Sequence, residues 1–493
     1  MSLPVSLYTS AQVRALDRAA TEQLGLTGYA LMERAGEAAL RALRERWPGA
    51  WRITVVCGPG NNAGDGYVLA RLARAAGCGV SVLAASPPER LRAAALEACA
   101  AWRAAGGTIE PFTAQALADT EVLVDALLGT GLCGAVRPEL AGVIGAINAS
   151  GRSVLALDVP SGLDADRGLA LGAAVRAECT VTFVALKTGL LLGEGPEHCG
   201  ALVFDDLGLT GRLTQVPPAS LERLVAADLE QALPRRARSA HKGDFGHVLI
   251  VGGGPGMPGA ARLAGEGCLR SGAGRVTVAV APQNLAAVVS ARPELMCVPL
   301  EQPEAVRTLA LRCDLVAVGP GLGQDTWARE AFEAALGCGK PLVVDADALN
   351  LLAAGPRLAP PAGWVLTPHP GEAARLLATS GAQIQEDRLG ALEALLARYG
   401  GVVVLKGAGT LVGRRGAVTA VCEHGNPGMA SPGMGDVLTG LIAGILAQCR
   451  DPWRAARAGV LAHALAGDAA ARGGERGLLA GDLIGELRRC LNF

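Results

Sequence analysis

The feature that most constrains the fold is a unit that recurs along the chain: a short apolar run, then a glycine-rich or acidic loop, then a helical stretch. Such runs stand at 53–57, 122–125, 154–158, 247–251 and 402–405, among others. Short buried strands that alternate with helices favour a mostly parallel sheet with helices on both faces. The sequence therefore predicts an α/β protein whose polar loops gather at the carboxyl ends of its strands.

The length of the chain predicts two domains, because 493 residues exceed what one ordinary hydrophobic core holds. Residues 208–227 show no strand periodicity and contain Pro217 and Pro218, so we expect the division there. The predicted parts are an N-terminal domain, a linker and a C-terminal domain, at 1–212, 213–227 and 228–493.

Charge and composition narrow the class of partner. The formal net charge is −1 and no block of like charges occurs, so we expect neither nucleic acid nor a membrane as a partner. The N-terminus lacks the pattern of a signal peptide and no apolar run approaches membrane length, which favours a cytoplasmic location. The 13 cysteines include no CxxC pair and are expected to be reduced. We expect small-molecule substrates and assembly into a homo-oligomer.

A glycine-rich segment, Gly433-Met434-Gly435-Asp436, precedes an apolar stretch with helical spacing. It is therefore expected at a helix N-terminus, where free backbone N–H groups and the helix dipole favour an anion such as phosphate. A carboxylate there repels phosphate, which indicates a second role for Asp436: accepting the proton of a hydroxyl group that is being phosphorylated. The alternative is a glycine-rich turn in which Asp436 only caps the helix. The chain contains no GxxxxGK[ST] motif, which excludes a P-loop.

The first strand of the N-terminal half ends in a glycine-rich turn at residues 58–66, as in nucleotide-binding sheets. The acidic residue that would hold a ribose after the second strand is missing, so an ordinary NAD dehydrogenase is not favoured. The turn carries more amide and carboxylate groups than it needs, in Asn61, Asn62 and Asp65.

Further strand ends of this half also carry polar side chains: Asp125, Asp158 with the nearby Ser161, and Lys187. Their loops are expected to converge on one crevice. Oxygen ligands of small total charge favour a weakly held monovalent cation over Zn²⁺. The alternative is that Asp125 and Asp158 cap the helices that follow them.

Taken together, the motifs resemble two known families. GLG, DADALN, LTPHPGE, KGAGT and GNPGMAS followed by GDVL are similar to the ribokinase-like ADP/ATP-dependent NAD(P)H-hydrate dehydratases. NNAGDG, VDALLGTG, DVPSGLD and TFVALKTG are similar to the NAD(P)H-hydrate epimerases. The resemblance covers nearly the whole chain, which is thus similar to the bifunctional NAD(P)H-hydrate repair enzymes, in which the two halves are fused.

This resemblance implies a fold and a function for each half. The N-terminal domain would be a Rossmann-like three-layer αβα sandwich and the C-terminal domain a ribokinase-like α/β domain. The first would interconvert the R and S epimers of NAD(P)HX, the hydrated forms of NADH and NADPH. The second would dehydrate S-NAD(P)HX to NAD(P)H at the expense of ADP, giving AMP and phosphate. K⁺ would bind in the epimerase half, Mg²⁺ would accompany the nucleotide, and ADP is expected over ATP.

The resemblance also assigns residues of the N-terminal half. Lys187 and Asp158 would move protons during epimerisation. Asn62, Asp125 and Ser161 would bind K⁺. The hydrated nucleotide would be held by Asn61, Asn62, Ala63, Gly64, Asp65, Gly129, Thr130, Gly131, Leu132, Cys133, Gly134, Ala135 and Asp158.

In the C-terminal half, the resemblance makes Asp436 the catalytic base. NAD(P)HX would contact Ala260, Gly321, His369 and Asp436. ADP and AMP would be bound by Lys406, Gly407, Ala408, Gly409, Thr410 and Gly435. Met434 departs from the related kinases, which more often carry Thr or Ser there. Because the cradle uses backbone groups, we expect activity to remain while nucleotide affinity can change.

A different function also fits the C-terminal motifs: a ribokinase-like kinase for a small vitamin precursor, fused to a nucleotide-binding module without catalytic activity. The products separate the two. A kinase releases a stable phosphorylated alcohol, whereas a dehydratase releases phosphate and a reduced nicotinamide.

Overall fold

The computed structural model describes residues 3–214, 216–355 and 363–492. The chain divides into two compact units, Met1–Leu221 and Glu222–Phe493. Both are α/β with largely parallel sheets, so the predicted fold class is confirmed. No helix in the described ranges is long and apolar enough to cross a membrane.

The N-terminal unit contains nine strands and six α-helices among its described residues. Its strands are β1 Ser6–Tyr8, β2 Arg52–Cys57, β3 Gly79–Ala84, β4 Glu110–Pro111, β5 Val122–Ala126, β6 Ser153–Leu157, β7 Cys179–Phe183, β8 Leu186–Lys187 and β9 Ala201–Asp205. Its helices are α1 Ser10–Leu24, α2 Gly28–Arg46, α3 Asn61–Ala75, α4 Ala93–Ala104, α5 Pro138–Ala149 and α6 Gly195–Cys199.

Seven of these strands form a parallel sheet in the order β4-β3-β2-β5-β6-β7-β9. Alternate residues of each strand enter two separate cores. Val55 and Val124 pack with residues of α2, α3 and α4, while Val56 and Leu123 pack with residues of α5. Helices therefore cover both faces of the sheet, which is the predicted three-layer arrangement.

The C-terminal unit contains ten strands and twelve α-helices among its described residues. Its strands are β10 Leu221–Arg223, β11 His247–Val251, β12 Arg275–Val280, β13 Met296–Pro299, β14 Leu315–Val318, β15 Leu342–Val344, β16 Val365–Leu366, β17 Val402–Leu405, β18 Thr410–Arg414 and β19 Thr419–Cys422. Its helices are α7 Ala226–Ala232, α8 Pro258–Arg270, α9 Leu285–Ala291, α10 Ala305–Ala310, α11 Thr326–Leu336, α12 Ala346–Ala354, α13 Pro370–Leu377, α14 Gly381–Glu386, α15 Arg388–Tyr399, α16 Met434–Cys449, α17 Pro452–Ala470 and α18 Ala480–Cys490.

Strands β13-β12-β11-β14-β15-β16-β17 are parallel in that order, and β18 and β19 extend the sheet as an antiparallel hairpin. Val248 and Ile250 face a core built with α8, α16 and α17. Leu249 and Val251 are equally buried, and α10, α11 and α15 contact strands of the sheet. The apolar run that starts at Val437 forms most of helix α16, and residues 437–447 of this helix are all buried.

The segment predicted as a linker, 213–227, is not wholly irregular. It contains β10, and α7 begins within it at Ala226, while Gln215 lies outside the described residues. Leu224 donates a backbone hydrogen bond to Val421, and Arg223 forms an ion pair with Glu423. A three-residue strand is too short to show an alternating pattern, so β10 could not be predicted from residue spacing. The domain limits themselves stay a prediction.

Candidate active sites

A cavity of about 760 Å³ lies at the carboxyl ends of the strands in the N-terminal unit. The loops after β2, β5, β6 and β7 form its wall together with helices α1, α2 and α3. The predicted site residues that line it are Asn61, Asn62, Asp65, Gly129, Thr130, Gly131, Leu132, Cys133, Ala135, Asp158 and Lys187. The structure thus brings these separate segments to one place.

Three predicted substrate residues do not line this cavity. Ala63 is fully buried, and a Cβ on Gly64 would come within 2.2 Å of the sulfur of Met32. These two residues therefore pack α3 against its neighbours below the cavity. Gly134 has a φ of 73° and lies in a turn beside the lining residues.

Lys187 is fully buried and its ammonium group has three acceptors. It forms an ion pair with Asp158 and donates to Thr182 Oγ1 at 3.0 Å and to the carbonyl of Phe183 at 2.7 Å. Three acceptors match the three N–H bonds of an ammonium group, so its hydrogen-bonding capacity is filled. Asp158 has a φ of 67° and no helix starts near it, so it serves this pair rather than a helix cap.

Asp17 is a cavity residue that the sequence analysis missed. It lies on α1 beside Val13, Leu16 and Ala20, which form the buried stripe of that helix. Burial raises the pKa of Asp17 to about 6, with Lys187 opposing the shift and Asp158 adding to it. Burial also raises the pKa of Asp65 well above its ordinary value, helped by Asp158 and Asp17. A carboxylate inside an apolar stripe was the available signal for Asp17.

The three residues predicted to bind K⁺ lie around the backbone of Leu128. Asn62 Nδ2 donates to the carbonyl of Leu128 at 2.9 Å, and the Leu128 N–H donates to Ser161 Oγ at 2.8 Å. Asp125 accepts from Ser161 N–H at 2.8 Å and from Ser161 Oγ at 2.5 Å. Asp125 therefore holds a loop and caps no helix, and burial raises its pKa to about 6.

One atom of this group tests whether a cation fits. Asn62 Oδ1 is buried and has no hydrogen-bond partner among the described residues. A buried oxygen without a partner is costly unless a donor or a cation satisfies it. Together with the Asp125 carboxylate and the Ser161 hydroxyl it gives a set of hard oxygen ligands, which fits K⁺. No group of three or more His, Cys, Asp or Glu side chains in the described ranges could hold a metal ion.

In the C-terminal unit, helix α16 begins as the sequence predicted. Gly433 is its N-cap with a φ of 88°, and no side chain caps the first turn. A Cβ on Gly433 would lie 2.5 Å from Leu263 Cδ1, so both the backbone angle and the packing demand glycine. The uncapped first N–H groups make this turn a suitable site for an anion.

Met434 and His463 fix the start of this helix. The Met434 side chain is buried in the core of the unit, so it does not face the anion position. The carbonyl of Met434 lies 2.9 Å from Nε2 of His463 on α17. Burial lowers the pKa of His463 to about 4, which leaves the ring neutral.

A buried carboxylate, Asp345, lies at the end of β15 and was not singled out from the sequence. It accepts from Lys406 Nζ at 2.7 Å, Thr439 Oγ1 at 2.7 Å and Thr367 Oγ1 at 2.8 Å. Lys406 Nζ also lies 3.6 Å from the carboxylate of Glu372. Although burial alone would lower the pKa of Lys406, Asp345 and Glu372 raise it, so the ammonium group stays charged.

Asp436 lies in the first turn of α16, at the edge of this cluster. Burial raises the pKa of Asp436 to about 7, Asp345 adds to the shift and Lys406 opposes it. The carboxylate makes no capping hydrogen bond among the described residues, so the helix-cap alternative has no support. A carboxyl group with a pKa near neutrality can accept a proton and release it again, as a general base must.

The residues predicted to contact substrate in this unit lie on neighbouring elements. Ala260 is in the first turn of α8, and a Cβ on Gly321 would lie 2.9 Å from the Ala260 Cβ. The next turn of α8 brings Leu263 to Gly433, so Ala260 and Gly321 lie near the start of α16. His369 caps α13 through Nδ1, and its Nε2 lies 3.3 Å from Glu372.

The predicted nucleotide segment, 406–410, is a loop between β17 and β18 that an arginine holds. Arg388 is buried and donates to the carbonyls of Leu405, Lys406 and Gly409 at 3.2, 3.3 and 3.3 Å. Thr410 is the first residue of β18 rather than part of the loop. A Cβ on Gly435 would lie 3.4 Å from Lys406 Nζ, so the loop reaches the start of α16.

Two family models match this chain, one in each unit. The family model described as NAD(P)H-hydrate dehydratase matches residues 248–489, and that described as YjeF-related protein N-terminus matches residues 28–189. A ribokinase-like superfamily protein of Enterococcus faecalis is 29% identical, with a TM-score of 0.51 over 55% of this chain and 95% of its own. The ADP/ATP-dependent NAD(P)H-hydrate dehydratase of Bacillus subtilis, crystallised with ATP/Mg²⁺, is 29% identical with a TM-score of 0.50 over 54% of this chain and 96% of its own.

Curated relatives match over the full length. The bifunctional NAD(P)H-hydrate repair enzyme Nnr of Coxiella burnetii is 48% identical over 99% of this chain and 99% of its own. The enzyme of the same name from Escherichia coli is 45% identical over 100% of this chain and 95% of its own. With such identity across both units, the chain belongs to the family of bifunctional NAD(P)H-hydrate repair enzymes.

Proposed function

We propose that this chain repairs hydrated nicotinamide cofactors in two steps. The N-terminal unit interconverts the R and S epimers of NAD(P)HX, and the C-terminal unit dehydrates the S epimer to NAD(P)H at the expense of ADP. The observation that carries the proposal is the position of Asp436: a carboxyl group with a pKa near neutrality in the uncapped first turn of a buried helix. An anion cradle that also holds a base suits phosphorylation of a hydroxyl group.

The dehydration solves a leaving-group problem. Hydroxide leaves carbon poorly, so the C6 hydroxyl of NAD(P)HX is first phosphorylated. Asp436 accepts the hydroxyl proton as the terminal phosphoryl group of ADP is transferred, and AMP is released. Phosphate then leaves C6 while C5 loses a proton, and the C5–C6 double bond forms. Positioned base catalysis contributes roughly 10²–10⁴-fold to such a step.

The charges around Asp436 have separate tasks in this scheme. The N–H groups at the start of α16 bind the phosphoryl group while it is transferred. Lys406 stands beside Gly435 and balances the charge of the phosphates. Asp345 holds its ammonium group in place and is itself held by the hydroxyls of Thr367 and Thr439. Mg²⁺ bound with the nucleotide would neutralise further phosphate charge. We propose ADP as the phosphoryl donor in preference to ATP.

Epimerisation takes place in the 760 Å³ cavity of the N-terminal unit. Lys187 and Asp158 form a buried ion pair at its wall, and we assign to them the exchange of protons with the C6 hydroxyl. Asn62, Asp125 and Ser161 would hold K⁺. This cation would fix the loop after β5, whose residues Gly129 to Cys133 line the cavity.

The experiment that tests the proposal is incubation of the full chain with a mixture of NADHX epimers, with and without ADP and K⁺. Formation of NADH is read from the absorbance of the reduced nicotinamide, and phosphate and AMP are measured in parallel. We expect both epimers to be consumed, with one phosphate and one AMP per NADH. A stable phosphorylated product without NADH would identify a kinase instead.

A further inference from the structure

The cavity of the N-terminal unit contains a carboxyl group that the assigned roles leave unused. Asp17 lines it from helix α1, whereas Lys187 and Asp158 line it from the strand ends. The Asp17 side chain makes no hydrogen bond or ion pair within the described residues. Its helix packs into a small core through Val13 and Leu16. Burying a carboxylate without a partner costs free energy, so its place in an apolar stripe calls for a function.

The cationic neighbours of Asp17 form no ion pair with it among the described residues. Arg14, one turn earlier, donates to the carbonyl of Thr130 at 3.2 Å, and Arg18 is exposed. Lys187 is already bound to Asp158 and to two further oxygens. The Asp17 carboxyl group is therefore available to a molecule in the cavity.

Inversion at C6 of NAD(P)HX requires two proton transfers. The ring nitrogen N1 donates its lone pair as the C6–O bond breaks, and the hydroxyl group accepts a proton and leaves as water. A water molecule then adds to the other face of C6 and gives up one proton, so protons and electrons balance. Since the old and the new hydroxyl groups lie on opposite faces, a single acid–base pair on one wall serves only one of them.

We propose that Asp17 is a further catalytic residue of the epimerase site, exchanging one of the two protons with the C6 hydroxyl group while the Lys187–Asp158 pair exchanges the other. This inference rests on the proposed function of the N-terminal unit. Because epimerisation runs in both directions, each group must act as an acid in one direction and as a base in the other.

The charged groups that face Asp17 suit this double use. Arg14 and Arg18 on its own helix and Lys187 lower its pKa, whereas burial and Asp158 raise it, and the net result is a pKa of about 6. Asp65, on α3, also interacts with Asp17, and its own pKa is raised. With a pKa of about 6, the Asp17 carboxyl group can both donate and accept a proton near neutral pH, as a group that acts as an acid in one direction and as a base in the other must.

The test compares Asp17→Asn with Asp17→Glu and with Asp119→Asn, an exposed residue of the same unit, in the full chain. Exchange between purified R- and S-NADHX is followed by chromatography, and dehydration of S-NADHX with ADP is measured on the same samples. We expect Asp17→Asn to lower kcat for epimer exchange by roughly 10²-fold or more. Dehydration of the S epimer, which takes place in the C-terminal unit, should be unchanged, and thermal unfolding of the variants should match that of the wild-type chain, which shows that the N-terminal unit is folded.

Further readouts separate catalysis from a structural role. The wild-type rate of exchange should change with a pKa near 6, and this step in the pH profile should vanish in Asp17→Asn and return in part in Asp17→Glu. Exchange by Asp17→Asn at the wild-type rate, or a raised KM with unchanged kcat, overturns the assignment. If the wild-type chain itself fails to exchange the epimers, the proposed function of the N-terminal unit is wrong, and the role of Asp17 is refuted with it.

Discussion

Each unit of the molecule buries one lysine against one aspartate at the edge of a parallel sheet, yet the surroundings of the two pairs differ. Lys187 and Asp158 lie beside a cavity, and two neutral oxygens complete the shell of the ammonium group. Lys406 and Asp345 lie beside the uncapped start of a buried helix and two more acids, Glu372 and Asp436. The first arrangement suits proton exchange with a bound molecule. The second also offers a place for a phosphate.

The variant with the largest predicted loss of activity changes a neighbour of the Lys406–Asp345 pair and leaves the Lys187–Asp158 pair unchanged. Asp436→Asn removes the base but keeps the uncapped helix turn, so dehydration of S-NADHX should fall by about 10²–10⁴-fold. Binding of ADP, measured by titration calorimetry, should persist, and epimer exchange should be unchanged. Glu393→Gln, an exposed change in the same unit, serves as the control. Full turnover by Asp436→Asn would end the assignment of the base.

The corresponding change in the first unit is Lys187→Met, which leaves the partly buried carboxylate of Asp158 without its partner. Epimer exchange should fall by about 10²-fold, because the proton-exchanging pair is broken. The unfolding free energy should fall by about 2 kcal/mol, since a partly buried carboxylate loses its hydrogen-bonded partner. The double variant Lys187→Met with Asp158→Asn should regain stability but no exchange. If stability stays low in the double variant, packing rather than charge explains the loss.

The pH dependence of dehydration tests the role of Asp436 in the C-terminal unit. Burial and Asp345 raise the pKa of Asp436 to about 7, and only its ionised form accepts a proton. The kcat/KM for dehydration should therefore rise about tenfold per unit up to pH 7 and level off above it. A flat profile between pH 5 and 8 would mean that Asp436 does not act as the base.

These differences show which features a sequence reveals. The strands β11, β12 and β17 and the start of α16 followed from local patterns, because apolar spacing and glycine position act over a few residues. The partner of Lys406 did not, since Asp345 lies 61 residues away and only the order of the strands brings the two together. Asp17 was missed for the same reason, because the cavity that it lines is built from distant loops.

The cation site offers a smaller effect confined to the first unit. Asn62→Ala removes the buried Oδ1 oxygen that has no protein partner. K⁺ should raise the unfolding temperature of the wild-type chain relative to choline at equal ionic strength, because it binds only the folded state. In Asn62→Ala we expect the K⁺ concentration for half of this effect to rise about tenfold. An equal response of both chains to K⁺ would place the cation elsewhere.

The smallest predicted change in activity concerns the loop at residues 406–409, between β17 and β18 of the C-terminal unit. The buried guanidinium group of Arg388 donates to two carbonyls of this loop, those of Lys406 and Gly409, and to the carbonyl of Leu405 just before it. Nη2 makes these three bonds, while Nη1 donates to Gln385 Oε1 at 2.8 Å. Lysine has one nitrogen and cannot make both sets of bonds, so Arg388→Lys should loosen the loop and cost about 2 kcal/mol of stability.

If this loop binds ADP, the dissociation constant of ADP should rise several-fold in Arg388→Lys while kcat at saturating ADP changes little, because the loop positions the nucleotide and Asp436 performs the chemistry. Arg398→Lys, an exposed change on the same helix, should leave both quantities unchanged. A loss of kcat with unchanged ADP binding would instead mean that Arg388 acts through Lys406 on the reacting group. In that case the loop would belong to the charge cluster around Asp436, and the contrast between the two lysine pairs would be larger still.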